Sequence, residues 1–341
     1  MKKKVAILGS TGSIGKTLIN VLKKNKKDFQ IVLLTSNNNL KIIIKQAKLF
    51  HVKNLIITNH EKFLIAKKKL KHLNINVFNN FNSIETIFKK QNVDYTMNAI
   101  SSFYGLEPTL KMIKYSKTIA IANKESIICG WPLIQKKLKK HKCQFIPIDS
   151  EHFSIRELIN KPYNHNIEKV FITASGGPFI NYPLKKFKSI TRKEALKHPN
   201  WSMGKKISID SSTLINKVLE YIEAQKLFNL SNDKLEIIIH PESLVHAIIK
   251  FKNGLTKFIY HETSMIIPLV NAIFDEKLNI EDFYKIKKKI RDLPIKNLTF
   301  DTVNKKKFPT IRLKSVANKH PSSPIIVNAS NEILVDQFLQ K

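Results

Sequence analysis

Few folds are open to a chain that begins with a short apolar strand, a turn of three glycines and an amphipathic helix. Val5-Ala6-Ile7-Leu8 runs directly into Gly9-Ser10-Thr11-Gly12-Ser13-Ile14-Gly15, and Lys16–Lys24 then repeats apolar residues at helical spacing. Glycines at such a turn let the backbone approach a pyrophosphate, which rests on the free N–H groups of the helix N-terminus. The spacing is G-x-x-G-x-x-G rather than the commoner G-x-G-x-x-G, so the strand before and the helix after carry the inference. The alternation continues. Ile31–Leu34, Asn54–Ile57, Tyr95–Met97, Thr118–Ile121 and Phe145–Ile148 read as buried parallel strands, with helical spacing over Lys41–Leu49 and Glu61–Leu70. This predicts an α/β fold that opens with a Rossmann-like, doubly wound parallel sheet. The second strand ends in Thr35-Ser36-Asn37-Asn38-Asn39, which offers no acid to a ribose 2′-hydroxyl and no arginine to a 2′-phosphate. The missing acid disfavours NAD and leaves NADP.

From about residue 150 the pattern changes to irregular loops, a helix near Asn216–Leu227, and strands near Val170–Thr173, Glu236–Ile239 and Val245–Phe251. Residues 276–300 are Lys-rich and read as a linker. The remaining residues hold a breaker at Pro321-Ser322-Ser323-Pro324 and a helix over Asn328–Gln340.

Composition narrows the function. A net charge of +33 suggests nucleic acid as a partner, but only four of the 59 basic residues are arginine. Bidentate recognition of phosphates and bases rests on arginine, so lysines spread along the whole chain read as a solvated surface. No apolar run approaches the roughly 20 residues that span a bilayer. The opening Met-Lys-Lys-Lys and its apolar run break at Gly9 without a cleavage pattern, so a soluble, unexported protein is expected, in the cytoplasm and with no membrane partner. Cys129 and Cys143 fit no zinc spacing and read as reduced thiols.

Two clusters carry the groups for metal chemistry. Asp149-Ser150-Glu151 follows the last strand of the first sheet, and in an extended segment residues i and i+2 point the same way, so both carboxylates can face one hard cation. Asn216-Lys217-x-x-Glu220 places an amide, an ammonium and a carboxylate on one helix face. Alone, each cluster also reads as a helix cap or a solvated surface group. Ser175-Gly176-Gly177-Pro178 offers a hydroxyl and backbone N–H groups to an anion. His198-Pro199-Asn200-Trp201-Ser202-Met203-Gly204-Lys205 reads as a lid loop or as a turn anchored by a buried Trp. Ser211 and Ser212 read as N-caps of the next helix or as phosphate donors.

Taken in order, these segments, together with Ala122-Asn123-Lys124-Glu125-Ser126, His152 after Glu151, Glu220-Tyr221-Ile222-Glu223-Ala224 and His240-Pro241-x-Ser243, closely resemble the 1-deoxy-D-xylulose 5-phosphate reductoisomerase family of the methylerythritol phosphate route to isoprenoids. The resemblance implies an enzyme dependent on NADPH and on a divalent cation (Mg²⁺ or Mn²⁺, with Co²⁺ a further candidate), a sugar phosphate substrate and a homodimer. It implies Asp149, Glu151 and Glu220 as metal ligands, with Lys124, Glu151 and His198 at the reacting end. Ser150, Ser175, His198, Ser211, Asn216, Lys217 and Glu220 match positions around the substrate, and Trp201 and Met203 a mobile lid. Thr11, Gly12, Ser13, Ile14, Asn123, Lys124, Glu125 and Gly204 match cofactor positions, as do Asn37, Asn38 and Asn39.

The implied organisation is an NADPH-binding domain over 1–148, a metal and substrate domain over 149–275, a linker over 276–300 and a shortened C-terminal helical domain over 301–341. Asn37-Asn38-Asn39 stands where the family usually has Gly-Lys-Asn, Thr263–Pro268 replaces a more basic segment, and the C-terminal helical domain is shorter than the family's, as a fragment or a loss. Two other readings compete. A dehydrogenase of the semialdehyde or homoserine kind leaves the paired carboxylates unexplained, and neither cysteine has an activating setting. A nucleotide- or nucleic-acid-binding remnant of an enzyme would not keep every chemically demanding position.

Overall fold

The computed structural model describes residues 2–159, 166–201, 203–274, 279–284 and 297–340. The chain forms two compact units, Met1–Asp149 with Met265–Lys285, and Ser150–Ser264 with Ile286–Lys341. Labels below follow chain order.

In the first unit β1 (Lys3–Leu8), β2 (Phe29–Ser36), β3 (Asn54–Ile57), β4 (Asn76–Phe78), β5 (Val93–Asn98), β6 (Ser116–Ile121) and β7 (Gln144–Pro147) form one sheet, ordered β4-β3-β2-β1-β5-β6-β7. Every pairing is parallel. The crossovers run through α1 (Ser13–Lys24), α2 (Leu40–Phe50), α3 (His60–Lys69), α4 (Ser83–Phe88), α5 (Leu106–Met112) and α6 (Lys124–His141). Val5, Ala6, Ile7 and Leu8 are fully buried because β1 is central and covered on both faces, which is why the strand reads as an unbroken apolar run. Chain order reverses between β1 and β5, and their carboxyl ends open the crevice in which such sheets bind ligands.

In the second unit β8 (Ile167–Ala174), β9 (Leu235–Ile239), β10 (Val245–Phe251), β11 (Thr256–Tyr260) and β12 (Asp301–Thr302) form a mixed sheet in the order β11-β10-β8-β9-β12. Against it pack α7 (Ser150–Leu158) and α10 (Ile215–Phe228), with α8 (Arg192–Ala195), α9 (Lys205–Ser212), α12 (Leu313–Val316) and α13 (Ser323–Gln340) completing the unit. Among the described residues no helix is long and apolar enough to cross a membrane.

The structure corrects the sequence reading in four places. Asp149-Ser150-Glu151 is not extended, because α7 begins at Ser150. Residues 265–285 do not belong with the second unit. There α11 (Ile266–Ile273) buries Leu269, Ala272 and Ile273 in the core of the first unit and Val270 against Val21, at about 1.5–3 kcal/mol for each large side chain. Lys3 Nζ donates to Ile273 O at 2.7 Å, and the Phe274 ring meets Phe29 edge-on at 5.2 Å. Of the expected linker, 276–278 and 285–296 lie outside the described residues, while Phe283 packs in the same small core as Val21. Residues 301–341 form no domain of their own: Asp301–Thr302 extends the second sheet, and Val335 of α13 packs with Ile209 of α9. Finally, α13 starts at Ser323, and Pro324 sits in its first turn, where a missing N–H costs nothing.

Candidate active site

The glycine turn lies at the crevice between β1 and β5. Gly9 holds φ +78°, and a Cβ there would stand 2.8 Å from Ala99 O, so close approach to the loop after β5 requires glycine. A Cβ on Gly15 would collide with Gly9 O and the Ser10 backbone. Gly12 is different: its nearest neighbour would be Gly9 O at 3.4 Å, an ordinary contact. The end of β2 buttresses the turn, since Gly9 N donates to Thr35 Oγ1 (2.8 Å), Ser10 N to Thr35 O (3.0 Å), and Thr11 Oγ1 meets Ser36 Oγ at 2.8 Å.

Ser13 and Ile14 open α1, whose N-cap Gly12 has no capping side chain, so the first N–H groups keep their capacity for an anion. Gly9, Thr11, Gly12, Ser36 and Asn37 line one cleft of about 810 Å³. Asn38 is exposed, and Asn39 has a structural task, its Oδ1 accepting from Ile42 N at 3.2 Å to cap α2. Asn123 Nδ2 donates to Ile100 O and, at 3.0 Å, to Ser102 O, pinning the loop after β5. Lys124 and Glu125 open α6, both buried, and Lys124 Nζ pairs with Asp149 at 2.9 Å.

The second unit carries a denser constellation. Glu151, in the first turn of α7, and Glu220, in α10, bring carboxylate oxygens within 4.8 Å of one another. Lys217 Nζ contacts Glu151 Oε1 and lies 2.6 Å from Glu220 Oε2. Asn216 Nδ2 donates to Glu220 Oε1, and Ser150 Oγ donates to Glu151 Oε2 at 2.8 Å. All these side chains are buried. Lys124 and Lys217 are the only buried lysines among the described residues, and each faces a carboxylate. Spacing alone put Lys217 beside Glu220, but only packing buries the two lysines and brings Glu151 to the same ammonium. Only oxygens are offered to a cation, a set that suits a hard ion such as Mg²⁺ or Mn²⁺, and an ammonium already stands between them.

The backbone ahead of α10 is strained: Leu214, buried and left-handed at φ +60°, forms the turn from which Ile215 starts the helix. It is Leu214, not Ser211 or Ser212, that occupies the N-cap position. Both serines lie in the last turn of α9, where Ser212 Oγ donates to Ile209 O at 2.8 Å. Their N-cap reading fails because α9 fills the space that a loop was expected to occupy.

Ser175 and His198 face each other at 3.1 Å (Oγ to Nε2). His198 Nδ1 accepts from Asn200 N at 3.1 Å and from Trp201 N at 3.0 Å, so the ring proton sits on Nε2 and is donated to Ser175. Ser175 Oγ also accepts from Gly177 N at 3.1 Å, which leaves the serine's own proton for another acceptor. Burial pushes the His198 imidazole down to about 4, with the Lys217 charge adding to the depression, and the neutral ring agrees with this pattern. Trp201 stands edge-on to His246 at 5.9 Å, and His246 stacks on His261 at 4.0 Å. Met203 is half-buried, and Gly204 is the N-cap of α9.

The sequence reading gave no role to His152 and Glu223. His152 Nε2 lies 2.9 Å from Glu220 O, and Nδ1 lies 3.3 Å from Glu223 Oε2, so the ring ties α7 to α10 beside Glu220. The signal was present, since Glu220 and Glu223 are three apart on one helix and His152 adjoins Glu151.

A family model described as 1-deoxy-D-xylulose 5-phosphate reductoisomerase matches residues 5–130, and models of C-terminal domains of that enzyme match 145–228 and 262–341. A 1-deoxy-D-xylulose 5-phosphate reductoisomerase from Pelagibacter ubique (strain HTCC1062) is 53% identical over 340 residues, 99% of this chain and 86% of that protein. This chain belongs to the 1-deoxy-D-xylulose 5-phosphate reductoisomerase family. The reductoisomerase of Wolbachia pipientis wMel is 40% identical over 99% of this chain and 86% of its own length. Among solved reductoisomerase structures, one in complex with NADPH, fosmidomycin and magnesium superposes with a TM-score of 0.91 at 31% identity, over 99% of this chain and 85% of the other. The Zymomonas mobilis reductoisomerase in complex with NADPH gives 0.85 at 29% identity, over 100% and 87%.

Proposed function

We propose that this chain rearranges 1-deoxy-D-xylulose 5-phosphate and reduces it to 2-C-methyl-D-erythritol 4-phosphate, using NADPH and a divalent cation. The observation that carries the reading is the buried Glu151–Lys217–Glu220 constellation in a member of this family. When bound, NADPH supplies the hydride, and the divalent cation polarises the substrate's carbonyl and hydroxyl oxygens.

Glu151 and Glu220, with Asp149 as third ligand, would hold the cation. Ser150 and Lys124 would orient the reacting end of the substrate. Ser175, Ser211, Asn216 and Lys217 would bind its phosphate, and the free proton of Ser175 is what an anionic oxygen needs. Phosphate binding away from the reacting carbons orients the substrate, so that binding energy lowers the chemical barrier. His198, Trp201 and Met203 would exclude water over the bound substrate. On the other unit, Thr11, Gly12, Ser13 and Ile14 would take the pyrophosphate, Asn37, Asn38 and Asn39 the adenosine end, and Asn123, Lys124 and Glu125 the remainder of the dinucleotide; Gly204, which belongs to the second unit, matches a further cofactor position of the family. Gly12 fits this role because no protein atom crowds its missing side chain, which leaves that space to a ligand. Family membership also supports a homodimer working in the cytoplasm.

The test is NADPH oxidation by the purified chain with 1-deoxy-D-xylulose 5-phosphate, with Mg²⁺, with Mn²⁺ and with chelator. Turnover that disappears with chelator is expected. Folded protein that binds NADPH but never turns over would overturn the reading.

A further inference from the structure

Each carboxylate oxygen of Glu151 and Glu220 has a protein hydrogen-bond donor or ammonium beside it. Ser150 and Lys217 serve Glu151, and Asn216 and Lys217 serve Glu220. Burial makes this closure necessary, since an uncompensated carboxylate in such a place is strongly disfavoured. The same donors are also the groups that an anionic substrate needs. Lys217 is held between two carboxylates, so drawing its ammonium toward a phosphate stretches both ion pairs and leaves two buried anions less compensated.

We infer that the cation and the phosphate bind cooperatively through donor exchange, with Lys217 and Asn216 as the positioning residues. A divalent cation on Glu151 and Glu220 takes over the charge balance that Lys217 provides. Lys217 and Asn216, which share the first turn of α10, are then released to the phosphate. By linkage, phosphate must tighten cation binding by the same factor. No bond is made or broken, so the exchange is purely one of hydrogen bonds and ion pairs. The inference rests on the phosphate role proposed above for these two residues.

The experiment is calorimetric titration of the full chain with inorganic phosphate, with and without saturating Mg²⁺, beside steady-state turnover. In the native protein, Mg²⁺ is expected to tighten phosphate binding about tenfold, a coupling of ordinary size. Glu220→Ala removes the acceptor that engages both donors. Without metal it should bind phosphate several-fold more tightly than the native chain, with little further gain from Mg²⁺. Glu223→Gln removes a charge of the same sign from the same helix while keeping an oxygen for the His152 contact, and controls for the loss of a nearby negative charge. Lys217→Met should abolish the Mg²⁺ dependence. Phosphate binding indifferent to Mg²⁺, or a Glu220→Ala effect no larger than that of Glu223→Gln, would overturn the exchange while leaving the enzymatic reading intact. Absence of both phosphate binding and turnover would overturn the enzymatic reading, and the exchange with it.

Discussion

The two units build their sites from different material. In the first, the site is largely backbone: a glycine turn, the open N–H groups of α1, and β2 hydroxyls that hold the turn in place. In the second, the site is side chains, and charged ones, with α7 giving Glu151 and α10 giving Asn216, Lys217 and Glu220. Backbone donors in a buried turn add no net charge to the interior. Carboxylates and ammonium groups there must be balanced against one another to within a few ångströms. The first kind of site should therefore fail through shape, and the second through charge.

The largest effect should come from Glu220→Gln. Turnover should fall by about a thousandfold, some 4 kcal/mol of barrier, while NADPH affinity, read by nucleotide fluorescence, stays within about twofold. A parallel loss of nucleotide binding would break the contrast between the units. Next comes Lys217→Met, which leaves two buried carboxylates without their cation. In chelator the variant should lose about 3 kcal/mol of stability by urea unfolding, and Mg²⁺ should recover much of it. Equal loss with and without Mg²⁺ would mean that Lys217 is not holding a cation's place.

The third effect is a pH dependence. Above pH 6.5 the His198 ring is neutral whether the chain is folded or unfolded. Between 6.5 and about 4 the unfolded ring gains a proton that the folded one refuses, so stability falls as pH falls, and below 4 the deficit is constant. Because solvent reaches the half-buried ring, about 2 kcal/mol is expected rather than the full linkage value. Unfolding at pH 7 and pH 4.5 should show a smaller drop for His198→Asn than for the native chain, and identical drops would remove His198 from the account.

The smallest effects sharpen the backbone half. Gly15→Ala, whose Cβ would strike Gly9 O and Ser10, should cost about 2 kcal/mol in thermal unfolding. Gly12→Ala should move stability by no more than about 0.5 kcal/mol while weakening NADPH binding severalfold. If the two alanines behave alike, Gly12 serves packing and not a ligand.

The difference between the units also explains how far each could be read in advance. The glycine turn, the strands around it and the helix of Asn216 were legible because each is a local pattern, an unbroken apolar run or a period of 3.6, punctuated by glycine. Start points were less so. Ser150 begins a helix where an extended segment was expected, and Ser211 and Ser212 close one where a cap was expected. The segment around Ile266 looked like part of the second domain because an apolar run does not say which core will bury it. His152 and Glu223 went unassigned because their pairing joins residues 71 positions apart and exists only once α7 and α10 meet.

Residue order by itself determined the α/β class, the crevice at the glycine turn and which carboxylate, amide and hydroxyl groups are candidates for cation and phosphate chemistry. Those properties follow from local spacing and side-chain chemistry. Tertiary structure alone decided that Lys217, among 55 lysines, stands between two carboxylates, that His198 carries its proton on Nε2, and that α11 returns to the first unit. Burial and charge balance depend on which surfaces close over a group, and that is a property of the packed chain rather than of any stretch of it.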